Sequence, residues 1–305
     1  MNAYVLGMNM DKLIGFIGLG AMGSKMIVHL PVDTHRVLFD LDTERAQAIA
    51  KGLSGAVSVA TTLDEFAKAQ VVILMLPDSA VVDAVALGQA ASPGLIHRLT
   101  PGSLLIDMSS SDPMRSQALA ARAAECGIAF LDAPVSGGTV GAEKATLAIM
   151  VGGQAPDVER ARGLLGCMGS QVTHVGGHGA GHALKGLNNL LAATIFAATS
   201  EVFAAGERFG LDPAVMHQVI NASSGGSFVT NTIWPRSVLP KTWNFGFALA
   251  LMHKDVGIGM SLVRAAGAEA RLLEESAALW DEAKKQAASN ADLSDYARLM
   301  MSKMP

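Results

Sequence analysis

The feature that most constrains the fold is a set of three glycines near the amino terminus. Gly18, Gly20 and Gly23 follow an apolar run at 13–18 and open a stretch with helical spacing at 22–30. This spacing permits a tight turn, a close approach of the backbone to a pyrophosphate, and a helix whose free N–H groups face the phosphates. The sequence predicts a dinucleotide-binding turn, with a glycine-rich turn that has no ligand as the alternative. Its residues are Gly18, Leu19, Gly20, Ala21, Met22 and Gly23.

The second part of this signal is an acidic residue about 20 positions further on. Asp40 ends a predicted strand at 37–40. A carboxylate there accepts hydrogen bonds from the adenosine ribose hydroxyls and repels a 2′-phosphate. No arginine follows directly, and Arg45 is five positions on. We therefore expect NAD rather than NADP, with a plain strand-end or helix-capping carboxylate as the alternative role for Asp40.

Apolar runs alternate with helical patterns through the first half of the chain, which predicts parallel βαβ units in an open, doubly wound sheet. The run VVILML has no polar gap, as expected of a central strand covered on both faces. We expect Thr43 to cap a helix at 43–52. The fold class is α/β, with an amino-terminal Rossmann-type domain at 12–176. The other predicted strands are 104–108, 130–133 and 148–151, and a further helix covers 116–126.

The pattern changes at a segment with four glycines, Gly176, Gly177, Gly179 and Gly181, beyond which strand-like runs cease. The stretch 180–209 is apolar on nearly every side, which is typical of a buried helix. We expect an all-α carboxy-terminal domain at 177–305, serving substrate binding and oligomerisation, with Trp234, Trp243 and Phe245 in a linker. The other predicted helices are 213–221, 252–266, 272–288 and 293–300.

Composition argues against several classes of function. The formal net charge of −4, without any block of like charge, gives little support to nucleic-acid binding. Mean hydropathy is +0.34, but the most apolar runs, at 71–76 and 190–198, are too short to span a bilayer, so we expect a soluble protein. Two cysteines without a CxxC pair fit a reducing compartment, and we expect a cytoplasmic location. Residues 1–10 are interpreted as a disordered extension and not as a leader peptide.

A glycine-containing turn follows the predicted strand at 130–133. Ser136, Gly137 and Gly138 come two residues after Pro134. Successive backbone N–H groups and the Ser136 hydroxyl can bind an anion without a cationic side chain, and a carboxylate is the natural ligand. An ordinary strand-exit loop is the alternative.

The long helical stretch carries two polar residues four positions apart, Lys185 and Asn189, which therefore share one face. Burial of an ammonium group lowers its pKa toward the range useful for proton transfer at neutral pH. An amide one turn further on can orient a substrate hydroxyl. The residues alone leave two interpretations open, an acid/base lysine or a lysine that extends to solvent at the start of a helix.

Separated motifs, from Gly15 to about Gly267, resemble those of the β-hydroxyacid dehydrogenase family and occur in the family's order. They are the loop GFIGLGAMGSKM, the further cofactor contacts LPDS and DMSSSDP, the substrate signature DAPVSGGTVGAEKATLAIMVGG, and the lysine helix. The sequence His253-Lys254-Asp255 also resembles a pair whose lysine lies near the nicotinamide ring. Two departures are Ala145, where the family usually has glycine, and Ser110, where it often has threonine.

The resemblance implies NAD as cofactor, a small 3-hydroxy acid as carboxylate substrate, and a homodimer or homotetramer. It implies no metal, and we do not expect His178 and His182 to bind one. The implied catalytic residue is Lys185; the substrate-binding residues are Ser136, Gly137, Gly138 and Asn189; and the residues that join the glycine turn and Asp40 in cofactor binding are Leu76, Pro77, Ser110 and Lys254.

The substrate stays open within this family. We expect 3-hydroxyisobutyrate first and tartronate semialdehyde second, with L-threonate or sulfonated analogues as further options. A 6-phosphogluconate dehydrogenase would have histidine in place of Asn188 and a cluster of phosphate-binding arginines. Imine reductases usually replace the lysine found here as Lys185. A non-catalytic nucleotide-binding module is the alternative from a different class of function.

Overall fold

The computed structural model describes residues 13–89 and 92–301. The predicted extension at 1–10 lies outside the described residues. The chain divides into two compact units between Lys185 and Gly186, and each unit is described by itself. The domain boundary expected near residue 177 stays a prediction.

The first unit is built on one mixed sheet whose strand order is β11-β10-β8-β7-β4-β1-β2-β3. From β8 to β3 every neighbouring pair is parallel, so the predicted doubly wound parallel sheet is confirmed. The strands are β1 (Leu13–Ile17), β2 (His35–Phe39), β3 (Val57–Val59), β4 (Val71–Leu74), β5 (Gly88–Gln89), β6 (Ser92–Pro93), β7 (Leu104–Asp107), β8 (Ala129–Asp132), β9 (Val135–Ser136), β10 (Ala148–Gly152) and β11 (Gln171–Gly176).

Two strands, β10 and β11, depart from the predicted parallel arrangement, since β11 runs parallel to β10. Strand β10 runs antiparallel to both β8 and β9. The chain passes from β8 into β9 in the same direction and reverses between β9 and β10. No long crossover is needed, since antiparallel strands can be joined by short connections. Strands β3 and β11 were not predicted, because neither is a clear apolar run.

Successive residues of the central strands point to opposite faces of the sheet, and each face has its own core. Phe16, Ile73 and Ile106 belong to one buried cluster. Ile17 and Val72 belong to the other. The helices of this unit are α1 (Gly23–Met26), α2 (Thr43–Gly52), α3 (Ser79–Ala86), α4 (Pro113–Glu125), α5 (Gly138–Glu143) and α6 (Ala155–Gly166).

Aspartate caps begin three of these helices. Asp42 caps α2, which corrects the prediction of Thr43 as the cap, since the Asp42 carboxylate accepts from the Arg45 N–H. Asp78 caps α3 in the same way. Asp112 caps α4, which begins three residues before the predicted position 116 with Pro113 in its first turn.

The described part of the second unit consists of helices and loops around a single core. Trp234, Trp280 and Tyr296 are fully buried in that core. Trp234 lies in a π-helical segment, Val229–Val238, and not in a linker as predicted. The helices are α7 (Ala180–Phe209), which begins in the first unit, α8 (Pro213–Asn221), α9 (Leu249–Ala265), α10 (Arg271–Gln286) and α11 (Asp295–Met301).

Helix α7 has the predicted bounds but is not buried on every side. Phe196 and Phe203 are buried, whereas Leu191 is 57% exposed, Val202 52% and Phe209 84%. One apolar face of the helix is buried, and a second apolar face is exposed. The two faces cannot be told apart from composition. By length and composition α7 could cross a bilayer, yet 56% of the relevant window is buried inside the protein, as in a core helix.

Candidate active site

The three glycines of the first loop have different reasons to be glycine. Gly18 has a φ of +97° and a Cβ there would collide with the Met75 carbonyl oxygen. A Cβ on Gly23 would collide with the carbonyl oxygen of Gly18. A Cβ on Gly20 would meet nothing within 4 Å. The protein's own packing therefore requires the first and third glycines, while the second borders open space that suits a pyrophosphate.

Asp40 is held by the loop it was predicted to serve. Its Oδ2 accepts from the Leu19 N–H at 2.7 Å, and its Oδ1 accepts from the Asp42 N–H at 2.9 Å. The Arg45 guanidinium lies 3.6 Å from the same Oδ1. Arg45 is thus a neighbour of Asp40 in space although five positions away in sequence. Its positive charge weakens the repulsion of a 2′-phosphate on which the expected preference for NAD depends.

Two further predicted cofactor loops meet at the carboxyl ends of β4 and β7, which are neighbours in the sheet. The Leu76 N–H donates to Ser109 Oγ at 2.9 Å, and the Asp112 N–H donates to Ser79 Oγ at 2.7 Å. These bonds join the loop that contains Leu76 and Pro77 to the loop that contains Ser110. Strand β1 lies between β4 and β2, so the glycine turn is at the switch point of the sheet, where ligands of doubly wound folds bind.

The predicted carboxylate-binding turn follows β8. Ser136 is half-buried in β9, while Gly137 and Gly138 are exposed and have φ values of +130° and +61°. Helix α5 begins at Gly138. Ala145, which stands where the family usually has glycine, has a φ of +54°. Gly137 and Gly138 therefore present backbone to solvent, and beyond α5 the chain carries one strained alanine.

A buried polar network, missed by the analysis of the sequence, lies at the start of α7. Asp107 and Asp132 are paired at the ends of β7 and β8, and both are fully buried. Asp132 accepts from the Gly179 N–H at 2.7 Å and the His182 N–H at 3.0 Å. Burial raises the pKa of the Asp132 carboxyl, and the nearby His182 and these hydrogen bonds act in the opposite direction. The sequence feature that could have revealed this network is that two neighbouring predicted strands each carry an aspartate at or near the carboxyl end, Asp107 and Asp132.

Lys185 lies one turn beyond this network and is only half-buried. The acid/base role of Lys185 stays a prediction, and Leu184 and Leu187 beside it are 44% and 40% exposed. Within the described residues, 13–89 and 92–301, no group of three or more His, Cys, Asp or Glu side chains is placed to hold a metal ion.

The remaining predicted residues lie in the second unit. Asn189 is buried, and its Nδ2 donates to Asp255 Oδ2 at 2.6 Å. Lys254 Nζ is 3.7 Å from Asp255 Oδ1. Helix α9 begins at Leu249, so Lys254 lies in its second turn. Asp255 thus adjoins both predicted site residues of this unit and was not itself predicted to act.

Two family profiles match the chain in series. The profile described as the NAD binding domain of 6-phosphogluconate dehydrogenase matches residues 13–176. The profile described as NAD-binding of NADP-dependent 3-hydroxyisobutyrate dehydrogenase matches residues 179–300.

Individual relatives agree with these profiles over most of the chain. The 3-hydroxyisobutyrate dehydrogenase of Pseudomonas aeruginosa is 39% identical over 85% of this chain and 88% of its own length. The NAD-dependent L-serine dehydrogenase of that bacterium is 35% identical over 94% and 97%. The solved structure of Mycobacterium tuberculosis 3-hydroxyisobutyrate dehydrogenase with L-serine has a TM-score of 0.86 at 32% identity, covering 95% of this chain and 99% of that one.

The fold, the glycine turn and these relatives define an NAD-binding oxidoreductase that acts on CH–OH groups. The chain belongs to the β-hydroxyacid dehydrogenase family, as its motifs indicated.

Proposed function

We propose that the protein oxidises the hydroxyl group of a short 3-hydroxy acid, with 3-hydroxyisobutyrate as its first substrate. The observation that carries the proposal is the open space beside Gly20, since nothing in the surrounding protein requires a glycine there. The relatives named for 3-hydroxyisobutyrate support the choice of acid.

The cofactor is assigned to the carboxyl edge of the sheet. The N–H groups of the turn 18–23 would bind the pyrophosphate, and Asp40 would accept from the adenosine ribose hydroxyls. The joined loops that contain Leu76, Pro77 and Ser110 would hold the nicotinamide half, with Lys254 as a further contact. When bound, NAD supplies the acceptor for the hydride.

The remaining site residues would bind the substrate, orient its hydroxyl group and transfer its proton. The N–H groups of Gly137 and Gly138 and the Ser136 hydroxyl would bind the carboxylate, since charge-assisted hydrogen bonds to backbone donors are strong. Lys185 would take the hydroxyl proton during oxidation and return it during reduction. Asn189, one turn further along α7, would orient the hydroxyl, with its own amide fixed by Asp255.

A panel of short acids tests this proposal. Turnover with NAD is measured for 3-hydroxyisobutyrate, its methyl ester, L-serine and L-threonate, with tartronate semialdehyde tested as the substrate for reduction. We expect 3-hydroxyisobutyrate to have the highest kcat/KM and its ester to fall at least about tenfold below it, because the ester lacks the charge that the turn binds. NAD should be preferred to NADP. An ester that turns over as fast as the acid contradicts the proposed turn.

L-serine is the second candidate, because a relative of nearly full coverage is named for it. L-serine also carries a hydroxyl on C3, with an ammonium group where 3-hydroxyisobutyrate has a methyl group. A higher kcat/KM for L-serine would replace the first substrate without changing the proposed chemistry. Absence of turnover throughout the panel, with tight NAD binding, favours the non-catalytic nucleotide-binding module.

The assembled state proposed here is a homodimer or homotetramer in the cytoplasm. Exposed apolar residues recur along α7 at spacings of three, four and seven, so they form one stripe. An apolar stripe of this kind is typical of a protein–protein interface. Both cysteines are free, which fits a reducing compartment. The stripe consists of Leu187, Leu191, Ala198, Val202, Ala205 and Phe209.

A further inference from the structure

The imidazole of His182 makes two hydrogen bonds that the roles proposed so far do not use. Its Nε2 is 3.0 Å from the carbonyl oxygen of Ser109, and its Nδ1 is 2.7 Å from Ser116 Oγ. A carbonyl oxygen only accepts, so Nε2 carries a proton and donates to Ser109. The side chain is fully buried. A buried imidazole with both nitrogens engaged has one fixed orientation.

These two bonds reach different parts of the first unit. Ser109 immediately precedes Ser110 in the loop after β7, which is assigned to the cofactor. Ser116 lies in α4. His182 itself is three residues before Lys185 on α7, so both share one side of the same helix. The imidazole thus connects the turn that carries the lysine to the cofactor loop.

The backbone in this region is anchored separately from the imidazole. A Cβ on Gly181 would meet the Asp132 carbonyl oxygen at 2.7 Å, so the first turn of α7 lies directly against the end of β8. The main-chain N–H groups of Gly179 and His182 already bind the Asp132 carboxylate. Attachment of the turn to the sheet therefore does not depend on the imidazole, whose added contribution is the contact with Ser109.

The charges around the imidazole come from two strands. Asp107 Oδ2 is 3.8 Å from Nε2, and Asp132 Oδ2 is 3.9 Å from Nδ1. Both carboxylates have closer partners, since Asp107 accepts from the Ser109 N–H at 2.9 Å and the Ser111 hydroxyl at 2.8 Å. Asp107 therefore shapes the loop, and the direct connection from that loop to α7 is the His182–Ser109 hydrogen bond.

We propose that His182 is a positioning residue for the reaction, and that its Nε2–H bond to Ser109 fixes Lys185 relative to the loop that carries Ser110. The inference rests on the proposed acid/base role of Lys185. A displacement of about 1 Å at a reacting group can cost about 100-fold in rate. Loss of this bond should therefore lower kcat while the protein stays folded.

Two amide substitutions separate the two hydrogen bonds. His182→Gln places an amide near the position of Nε2 and keeps a donor for the Ser109 carbonyl. His182→Asn reaches only the position of Nδ1 and keeps the contact with Ser116. His178→Gln is the matched control, since His178 lies in the same glycine-rich segment and its Nδ1 has no hydrogen-bond partner among the described residues.

Each variant is measured for kcat with 3-hydroxyisobutyrate and NAD, for thermal unfolding, and for backbone hydrogen exchange without cofactor. We expect His182→Asn to lose at least about tenfold in kcat and to exchange faster over 107–111. His182→Gln should stay within about threefold of wild type in kcat, with wild-type exchange there, although both variants unfold at similar temperatures. The control should match the wild type.

Equal losses of kcat in the Gln and Asn variants, or wild-type kcat in both, would overturn the inference. Lys185→Ala, measured alongside, separates this result from the proposed function. An active Lys185→Ala variant defeats the acid/base role itself, whereas an inactive one together with indistinguishable His182 variants defeats only the positioning role.

Discussion

The two units of the chain differ in the side chains that bear on their proposed roles. In the first unit, Asp107, Asp132 and His182 are fully buried and each is hydrogen-bonded. In the second unit, an aromatic core is buried while Leu191 and Phe209 on α7 are exposed. The first unit thus holds its ligand loops through buried polar groups, whereas the second presents an apolar stripe along α7. We infer that the ligand loops of the first unit serve the reaction and that the apolar stripe of the second unit serves assembly.

The largest expected effect comes from replacing Lys185, near the start of α7, where the acid/base role is proposed. Lys185→Ala should lower kcat by about 10²–10⁴-fold, the usual contribution of a positioned acid/base group. Lys185→Arg should fail almost as badly, because a guanidinium does not release its proton. Steady-state kinetics are measured beside NAD titration by fluorescence and circular dichroism. An alanine variant that is folded and retains most of its turnover would make the lysine merely structural.

The glycine turn offers a sharper test within the first unit. Gly20→Ala should fold normally but weaken NAD binding by about 100-fold, or roughly 2.7 kcal/mol, because its Cβ enters the space assigned to the pyrophosphate. Gly23→Ala should instead lose about 1–3 kcal/mol of stability, because its Cβ collides with the Gly18 carbonyl oxygen. Chemical denaturation and NAD titration distinguish the two failures. Unchanged NAD affinity in folded Gly20→Ala would remove the dinucleotide from this space.

We also expect that a second copy of the chain covers the exposed apolar stripe on α7. Leu191→Asp should raise the dissociation constant of the assembly by about tenfold or more, because it places a charge in the exposed apolar stripe. Leu272→Asp is the matched control, since Leu272 is 71% exposed but lies on a different helix, α10. Sedimentation velocity over a concentration series measures both. A wild-type chain that is monomeric throughout contradicts the expectation.

The smallest effect concerns a departure of this chain from its family. Ala145→Gly should raise the free energy of unfolding by about 0.5 kcal/mol, because relief of a left-handed alanine outweighs the added freedom of the unfolded chain. Ala142→Gly, in the adjoining helix α5, should lower it by about 1 kcal/mol. Urea denaturation resolves the opposite signs. A loss of stability in both variants would mean that Ala145 is not strained.

The sequence by itself determined the features that depend on local spacing. The glycine turn, the long helix at 180–209 and the helix at 213–221 follow from neighbours within a few positions, and the structure has both helices at the predicted bounds. The alternation of strands and helices was enough for the fold class, since short apolar runs separated by helices permit few other topologies.

Only the tertiary structure decided which side chains meet across long separations. His182 and Ser109 are 73 positions apart, and Asn189 and Asp255 are 66 apart. The hydrophobic pattern of the sequence does not reveal such contacts, because they depend on strand order and on where each loop leaves the sheet. The exposure of one apolar face of α7 was equally hidden, since two apolar faces of a helix are alike in sequence and differ only in what packs against them.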